Sequence, residues 1–157
     1  MKRRSVFLCI LAMFGTAALH AQAGVAKDAA DVTPIVGVWR AQMDGLPFIT
    51  LTLTNENGSL QGAVLFYLHR REAVGQPWTS TPGNPGPIFN PKFDGETLTF
   101  QVSHRGAHPP RTLNDPPFTF RLKLIGPNKA GLVNVSEAAL TGESTAGPGL
   151  PMERSDF

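Results

Sequence analysis

The feature that most constrains the fold is the alternation of apolar and polar residues along short segments that end in tight turns. In residues 48–54, Ile49, Leu51 and Leu53 alternate with threonines, which is the period of a half-buried β-strand. Asn57-Gly58 follows, and both residues tolerate the positive φ of a two-residue hairpin turn. The pattern therefore predicts a hairpin into a strand at residues 59–69, after a first strand at residues 35–42.

The rest of the chain repeats this pattern. Further strands are predicted at residues 96–103, 118–125 and 130–135, and a closing strand fits residues 149–156. Residues 136–145 are ambiguous, and no segment keeps a helical period beyond two turns. We therefore expect an all-β domain of mostly antiparallel strands, for which an up-and-down barrel and a β-sandwich both fit. The side chains expected to point inward include Phe48, Phe66, Phe100, Phe118 and Phe120.

Two proline-rich segments, residues 72–91 and 105–117, interrupt the strands. Eight glycines and prolines lie between residues 75 and 91, which predicts an irregular loop over most of that segment, with Trp78 in its middle. Regular structure is expected to resume near Ile88. Long loops inside compact domains are often functional, so this segment is a candidate binding element.

The first residues have the composition of an export signal. Three basic residues at positions 2–4 precede a mostly apolar run at 5–19, and a small-x-small cleavage pattern ends at Ala23. We expect a signal peptide over residues 1–23, a flexible leader over 24–34 and a single domain over 35–157, located in the periplasm or outside the cell. No later apolar run is long enough to span a membrane, so no integral membrane segment is expected after the signal is removed.

Charge and cysteine content exclude several classes of function. Residues 1–23 hold three of the 14 Lys and Arg and none of the 12 Asp and Glu, so the remainder carries one more acid than base. Nucleic-acid binding needs a basic face, and no such partner is expected. The one cysteine, Cys9, would leave with the signal, so neither a disulfide nor a cysteine-based metal site is expected. We expect a monomer without a cofactor.

Several short motifs, in order, resemble those of a known group of proteins. They are Gly37-x-Trp39, the run Asn57-Gly58-Ser59-Leu60-Gln61-Gly62, the run Phe93-Asp94-Gly95-Glu96-Thr97-Leu98-Thr99-Phe100, and Leu150-Pro151-Met152. This order is similar to that of small secreted bacterial lipocalin-like (calycin-like) β-barrel domains, which occur alone or ahead of α/β-hydrolase domains. The resemblance covers most of residues 35–153 and implies a barrel more than an activity. Residues 131–134 depart from it, because they lack the Trp of the usual L-x-G-x-W strand.

No motif identifies a catalytic centre or a metal site. His104 and His108 are four residues apart, a spacing that pairs metal ligands on a helix, but Pro109 and Pro110 follow directly and indicate a loop. A third ligand would have to come from elsewhere, for example His69, and exposed loop histidines are the favoured interpretation. There is no Gly-x-Ser-x-Gly elbow and no phosphate-binding glycine loop, so no catalytic residue is assigned.

A ligand-binding mouth is the strongest functional hypothesis. If the two proline-rich segments lie at one end of a barrel, their cations would gather there and favour a carboxylate head with an apolar tail, although an ordinary solvated rim also fits. Trp39 also has a structural interpretation, since its ring can plug one end of a barrel while the indole N–H forms a hydrogen bond. The candidate ligand-contacting residues are Trp39, Tyr67, His69, Arg71, Trp78, His104, Arg105 and Arg111.

Three classes of function follow from these expectations. The leading hypothesis is an exported, non-catalytic protein that binds a small amphipathic or apolar ligand in or at the mouth of the barrel. The second is a protein-interaction module of the cell envelope that uses Trp78 as an aromatic anchor. The third, a hydrolase-associated domain or an enzyme of unknown reaction, lacks a residue that can be named as the nucleophile.

Overall fold

The computed structural model describes residues 30–103, 116–141 and 147–155, which form one antiparallel sheet and a short helix. The elements in chain order are β1 (Gly37–Met43), β2 (Leu46–Glu56), β3 (Ser59–Arg70), β4 (Thr79–Pro82), β5 (Gly86–Phe93), β6 (Thr97–Val102), β7 (Phe118–Gly126), β8 (Lys129–Asn134), α1 (Val135–Thr141) and β9 (Leu150–Ser155).

The sheet closes into a barrel. Hydrogen-bonded neighbours run in the order β2, β1, β9, β8, β7, β6, β5 and β3, and the pairing of β2 with β3 completes the ring of eight strands. Each pairing is antiparallel. The predicted all-β, up-and-down, lipocalin-like barrel is confirmed, and the sandwich alternative is excluded because one continuous sheet closes on itself.

One end of the barrel is closed by tight turns. The Asn57-Gly58 turn has φ values of 53° and 83°, as the hairpin signal predicted. In the turn before β6, the carboxylate of Asp94 accepts backbone hydrogen bonds from Glu96 and Thr97, which lower the pKa of Asp94. These turns lie at the same end as Gly37, where β1 begins, and we call it the closed end.

The barrel interior is filled near the closed end. The largest fully buried side chains are Trp39, Phe100, Ile35, Leu51, Leu53, Leu98, Leu122 and Met152. Along β2, burial alternates residue by residue from Ile49 to Leu53, which confirms the period-two pattern read from the sequence. Of the five phenylalanines expected inside, Phe100 and Phe120 are buried, Phe48 and Phe118 are half-buried against the core, and Phe66 is 38 % exposed.

The prediction of an irregular segment over most of residues 72–91 is correct for residues 72–78, which include Trp78, and for 83–85, and is wrong for the rest, which forms β4 and the start of β5. Regular structure resumes at Gly86, close to the predicted Ile88. Residues Tyr67–Arg70 of β3 pair with β4, and residues Ala63–Val64 of β3 pair with the start of β5. Strands β4 and β5 therefore lie one after the other along β3. Between the two pairings, residues 65–66 face residues 83–85, which is a bulge of one extra residue. Proline is tolerated at bulges and free edges, which explains how Pro82 and Pro87 lie within these strands.

Two other boundaries differ from the sequence predictions. The first strand begins at Gly37 rather than residue 35, because the backbone N–H groups of Ile35 and Val36 both donate to the carbonyl of Val32 and form a turn. Val32, within the predicted leader, packs against the core. The ambiguous residues 136–145 begin with a helix, α1, whose first residue follows directly from β8.

Candidate functional site

The end of the barrel opposite the closed end is its mouth. Strands β3, β6 and β8 end there, and β7 and β9 begin there, so the longer connections of the chain join strands at this end. The paired segment Tyr67–Pro82 extends past the last contact of β3 with β2, and we call it the arm. The mouth is therefore bordered by the arm on one side and by α1 on another.

Two cavities open at the mouth. The first, here called the helix cavity, has a volume of about 260 Å³ and lies beside α1. Its apolar lining consists of Phe48, Ile49, Phe66, Phe120, Leu132 and Leu150, and its polar lining consists of Asn134 and Glu137. The second, the arm cleft, has a volume of about 690 Å³ and lies against the arm and the bulge, with a lining that includes Phe66, Leu68, Pro85, Pro87 and Val102.

Phe66 lines both cavities. Its partner across the sheet is the buried Ile49, so its ring is on the inward face of the barrel, although it is 38 % exposed. The ring centroid lies 5.9 Å from that of Phe120, which in turn stacks 5.7 Å from that of Phe100. This row of aromatic rings leads from the filled core to the mouth, where it ends in an exposed apolar surface.

The polar end of the helix cavity is built by the cap of α1. Asn134 Oδ1 accepts a hydrogen bond from the backbone N–H of Glu137 at 3.2 Å, and Asn134 Nδ2 donates to Glu137 Oε2 at 3.1 Å. Asn134 is thus the N-cap, and the exchange of two bonds with the third helical residue is a variant of the capping box. Ser136 Oγ accepts the backbone N–H of Thr119 at 2.8 Å, which fixes the helix to β7.

Trp39 lies away from the other predicted ligand residues. Its side chain is 0 % exposed, and its indole Nε1–H donates to the carbonyl of Ile35 at 2.8 Å. The guanidinium of Arg154 lies 5.7 Å from the ring centroid on the closed end. The interpretation of Trp39 as a plug with a satisfied N–H is confirmed, and the structure does not bring it together with the mouth.

Four predicted ligand residues lie on the arm or at its base. Tyr67 lines the arm cleft, and His69 Nε2 donates to the carbonyl of Pro47 at 2.8 Å while its ring packs edge-on against Phe48 at 5.5 Å. The guanidinium of Arg71 stacks 5.0 Å from the ring centroid of Trp78 at the tip of the arm. The structure places these four residues on one side of the mouth.

The remaining three predicted ligand residues, His104, Arg105 and Arg111, lie outside the described residues, as does His108. Within the described ranges, no group of three or more His, Cys, Asp or Glu side chains is placed to hold a metal ion. No helix in the part of the chain that the structure describes is long and apolar enough to cross a membrane.

Sequence reasoning missed Asn134 and Glu137 as site residues. Their spacing is the Asn-x-x-Glu signature of a helix N-terminus, and that signal could have located α1. Their place beside the phenylalanines of β3 and β7 depends on the order of strands around the barrel. No local pattern carries that information.

Comparison of the chain with protein-family models, with curated proteins and with solved structures gives no significant match.

Proposed function

We propose that the chain is an exported, non-catalytic binding protein that holds a small amphipathic or apolar ligand at the mouth of the barrel. The observation that carries the proposal is that two mainly apolar cavities share the exposed Phe66 as a lining residue. The filled core below leaves the mouth as the place for a ligand, since the side chains around Trp39 and Leu51 are fully buried. The basic start, apolar run and cleavage pattern of residues 1–23 support export.

An amide NMR titration with a neutral probe, hexanol, tests this proposal. We expect hexanol to shift the amide signals of Phe66 and Leu132, and Phe66→Asp to abolish the shifts by placing a charge in the apolar lining that the two cavities share. Ile125→Asp is the matched control, because Ile125 is an exposed hydrophobic residue, 59 % accessible, that lines neither cavity. Shifts that persist in Phe66→Asp, or that are absent from the wild-type protein, would contradict ligand binding at the mouth.

A second candidate function, capture of another envelope protein by the tip of the arm, rests on a separate observation. Trp78 is 47 % exposed and Val74 is 90 % exposed, and the ring of Trp78 is held by the guanidinium of Arg71. Aromatic and arginine side chains often supply most of the energy of protein interfaces. Trp78→Ala should abolish partner capture measured by cross-linking in the native cells, with unchanged thermal stability. If the variant unfolds, Trp78 is a structural residue and this candidate fails.

A further inference from the structure

The polar lining of the helix cavity determines which head group a ligand can carry. Of its described lining residues, Glu137 alone carries a charge, and Asn134 supplies the other polar side chain. Asn134 Oδ1 is occupied by the helix cap, and one oxygen of Glu137, Oε2, accepts a single bond from Asn134. A carboxylate has about four acceptor positions, so Glu137 can accept further hydrogen bonds at the edge of the cavity.

No described cation balances this carboxylate within the cavity. The ion pair recorded among the described residues joins Lys123 to Glu96 and involves neither lining residue. His69 contacts a lining residue through the ring of Phe48, but its Nε2 is engaged by the carbonyl of Pro47. A ligand carboxylate would therefore be repelled by Glu137, whereas a hydrogen-bond donor with a positive charge would be attracted.

We propose that the helix cavity binds small aliphatic or aromatic amines, with the ammonium group on the carboxylate of Glu137 and the apolar body against Phe66, Phe120 and Leu132. This inference rests on the proposed function and specifies its ligand class. From the cations of the proline-rich segments, the sequence predicted a ligand with a carboxylate head group. This inference assigns a head group of the opposite charge. The exposed Phe66 favours the same ligand, since an ammonium group is attracted to the face of an aromatic ring.

The size of the cavity limits the ligand. Its volume of about 260 Å³ is below the roughly 300–1,000 Å³ of sites for drug-sized molecules. A chain of about six carbons with one amino group is a suitable probe because it can cover the apolar lining while its head reaches the rim.

Titration calorimetry with hexylamine, hexanol and hexanoate at neutral pH and low salt tests the inference. Glu137 is exposed, so its contribution is that of a partly solvated ion pair, and we expect hexylamine to bind about twofold to fivefold more tightly than hexanol. Hexanoate should bind more weakly than hexanol. The preference for the amine should fall as salt is added.

The variant Glu137→Gln tests the preference for an ammonium head group separately from the binding of the apolar body. The substitution keeps the size and an acceptor oxygen for the cap but removes the charge, so hexylamine should lose its advantage while hexanol affinity stays unchanged. If hexanol or hexanoate binds the wild-type protein as tightly as hexylamine or more tightly, the amine assignment is overturned, while ligand binding at the mouth still stands. Failure of all three probes to bind would overturn both proposals for this cavity.

Discussion

At the residue scale, Arg154 holds the closed end of the barrel together. Its guanidinium donates to the carbonyl of Pro34 at 3.1 Å, its Nε donates to Asn128 Oδ1 at 3.1 Å, and its plane lies over Trp39. It thus joins β9, the turn after β7 and the turn before β1. Gly37 has φ of 136°, and a Cβ there would lie 3.0 Å from Arg154 Cδ, so the Gly-x-Trp motif leaves room for this arginine.

Arg154→Ala should therefore lower the free energy of unfolding by roughly 2 kcal/mol, because several carbonyl and amide acceptors lose a charged donor together. Arg154→Lys should recover only part of this loss, since an ammonium group cannot reproduce the planar fork of donors. Urea unfolding measures both effects. Arg40→Ala, at an exposed position in the middle of β1, is the control and should change stability by less than about 0.5 kcal/mol. Equal midpoints for Arg154→Ala and Arg40→Ala would contradict the role of Arg154.

At the scale of elements, what the sequence could predict depended on the length and regularity of each segment. Strands such as β2 and β7 alternate over enough residues to be located without a structure. The rule that proline interrupts a ladder failed for β4 and β5, since their prolines lie beside a bulge and along a sparsely paired edge. A seven-residue helix is too short to display a period, so α1 could have been found only through its cap.

The cap is expected to control whether α1 forms. An isolated helix of this length is unstable in water, so α1 depends on Asn134 and on its attachment to β7 through Ser136. Asn134→Ala should lower the free energy of unfolding by about 1 kcal/mol. Asn134→Ser should lower it by much less, because serine is also a good N-cap. Denaturant unfolding gives the comparison. Equal loss in both variants would show that Asn134 acts through packing rather than through the cap.

At the scale of the whole molecule, the filled core and the proposed binding site lie at opposite ends of the barrel. Most of the largest fully buried side chains lie near the closed end, whereas four of the seven exposed large hydrophobic residues among the described residues, Phe66, Leu68, Val74 and Trp78, lie at the mouth or on the arm. His69 and Arg71, two of the ligand residues that the sequence indicated, reach this end because β3 is longer than its pairing with β2. The helix cavity could not be predicted from the sequence, because its lining residues include members of β3, β8 and α1, which lie near one another only once the barrel has closed.

This division predicts two levels of protection in hydrogen exchange followed by mass spectrometry. Amides of β1, β2 and β6 should exchange only through global unfolding, because their side chains form the filled core. Amides of α1 and of the arm should exchange faster through local opening, since few buried contacts hold them. Hexylamine should slow exchange in α1 and at the end of β3 and leave the closed end unchanged, because a ligand protects the segments that it contacts. Uniform protection along the barrel, or slowing confined to the closed end, would show that the mouth is neither the less stable end nor the binding end.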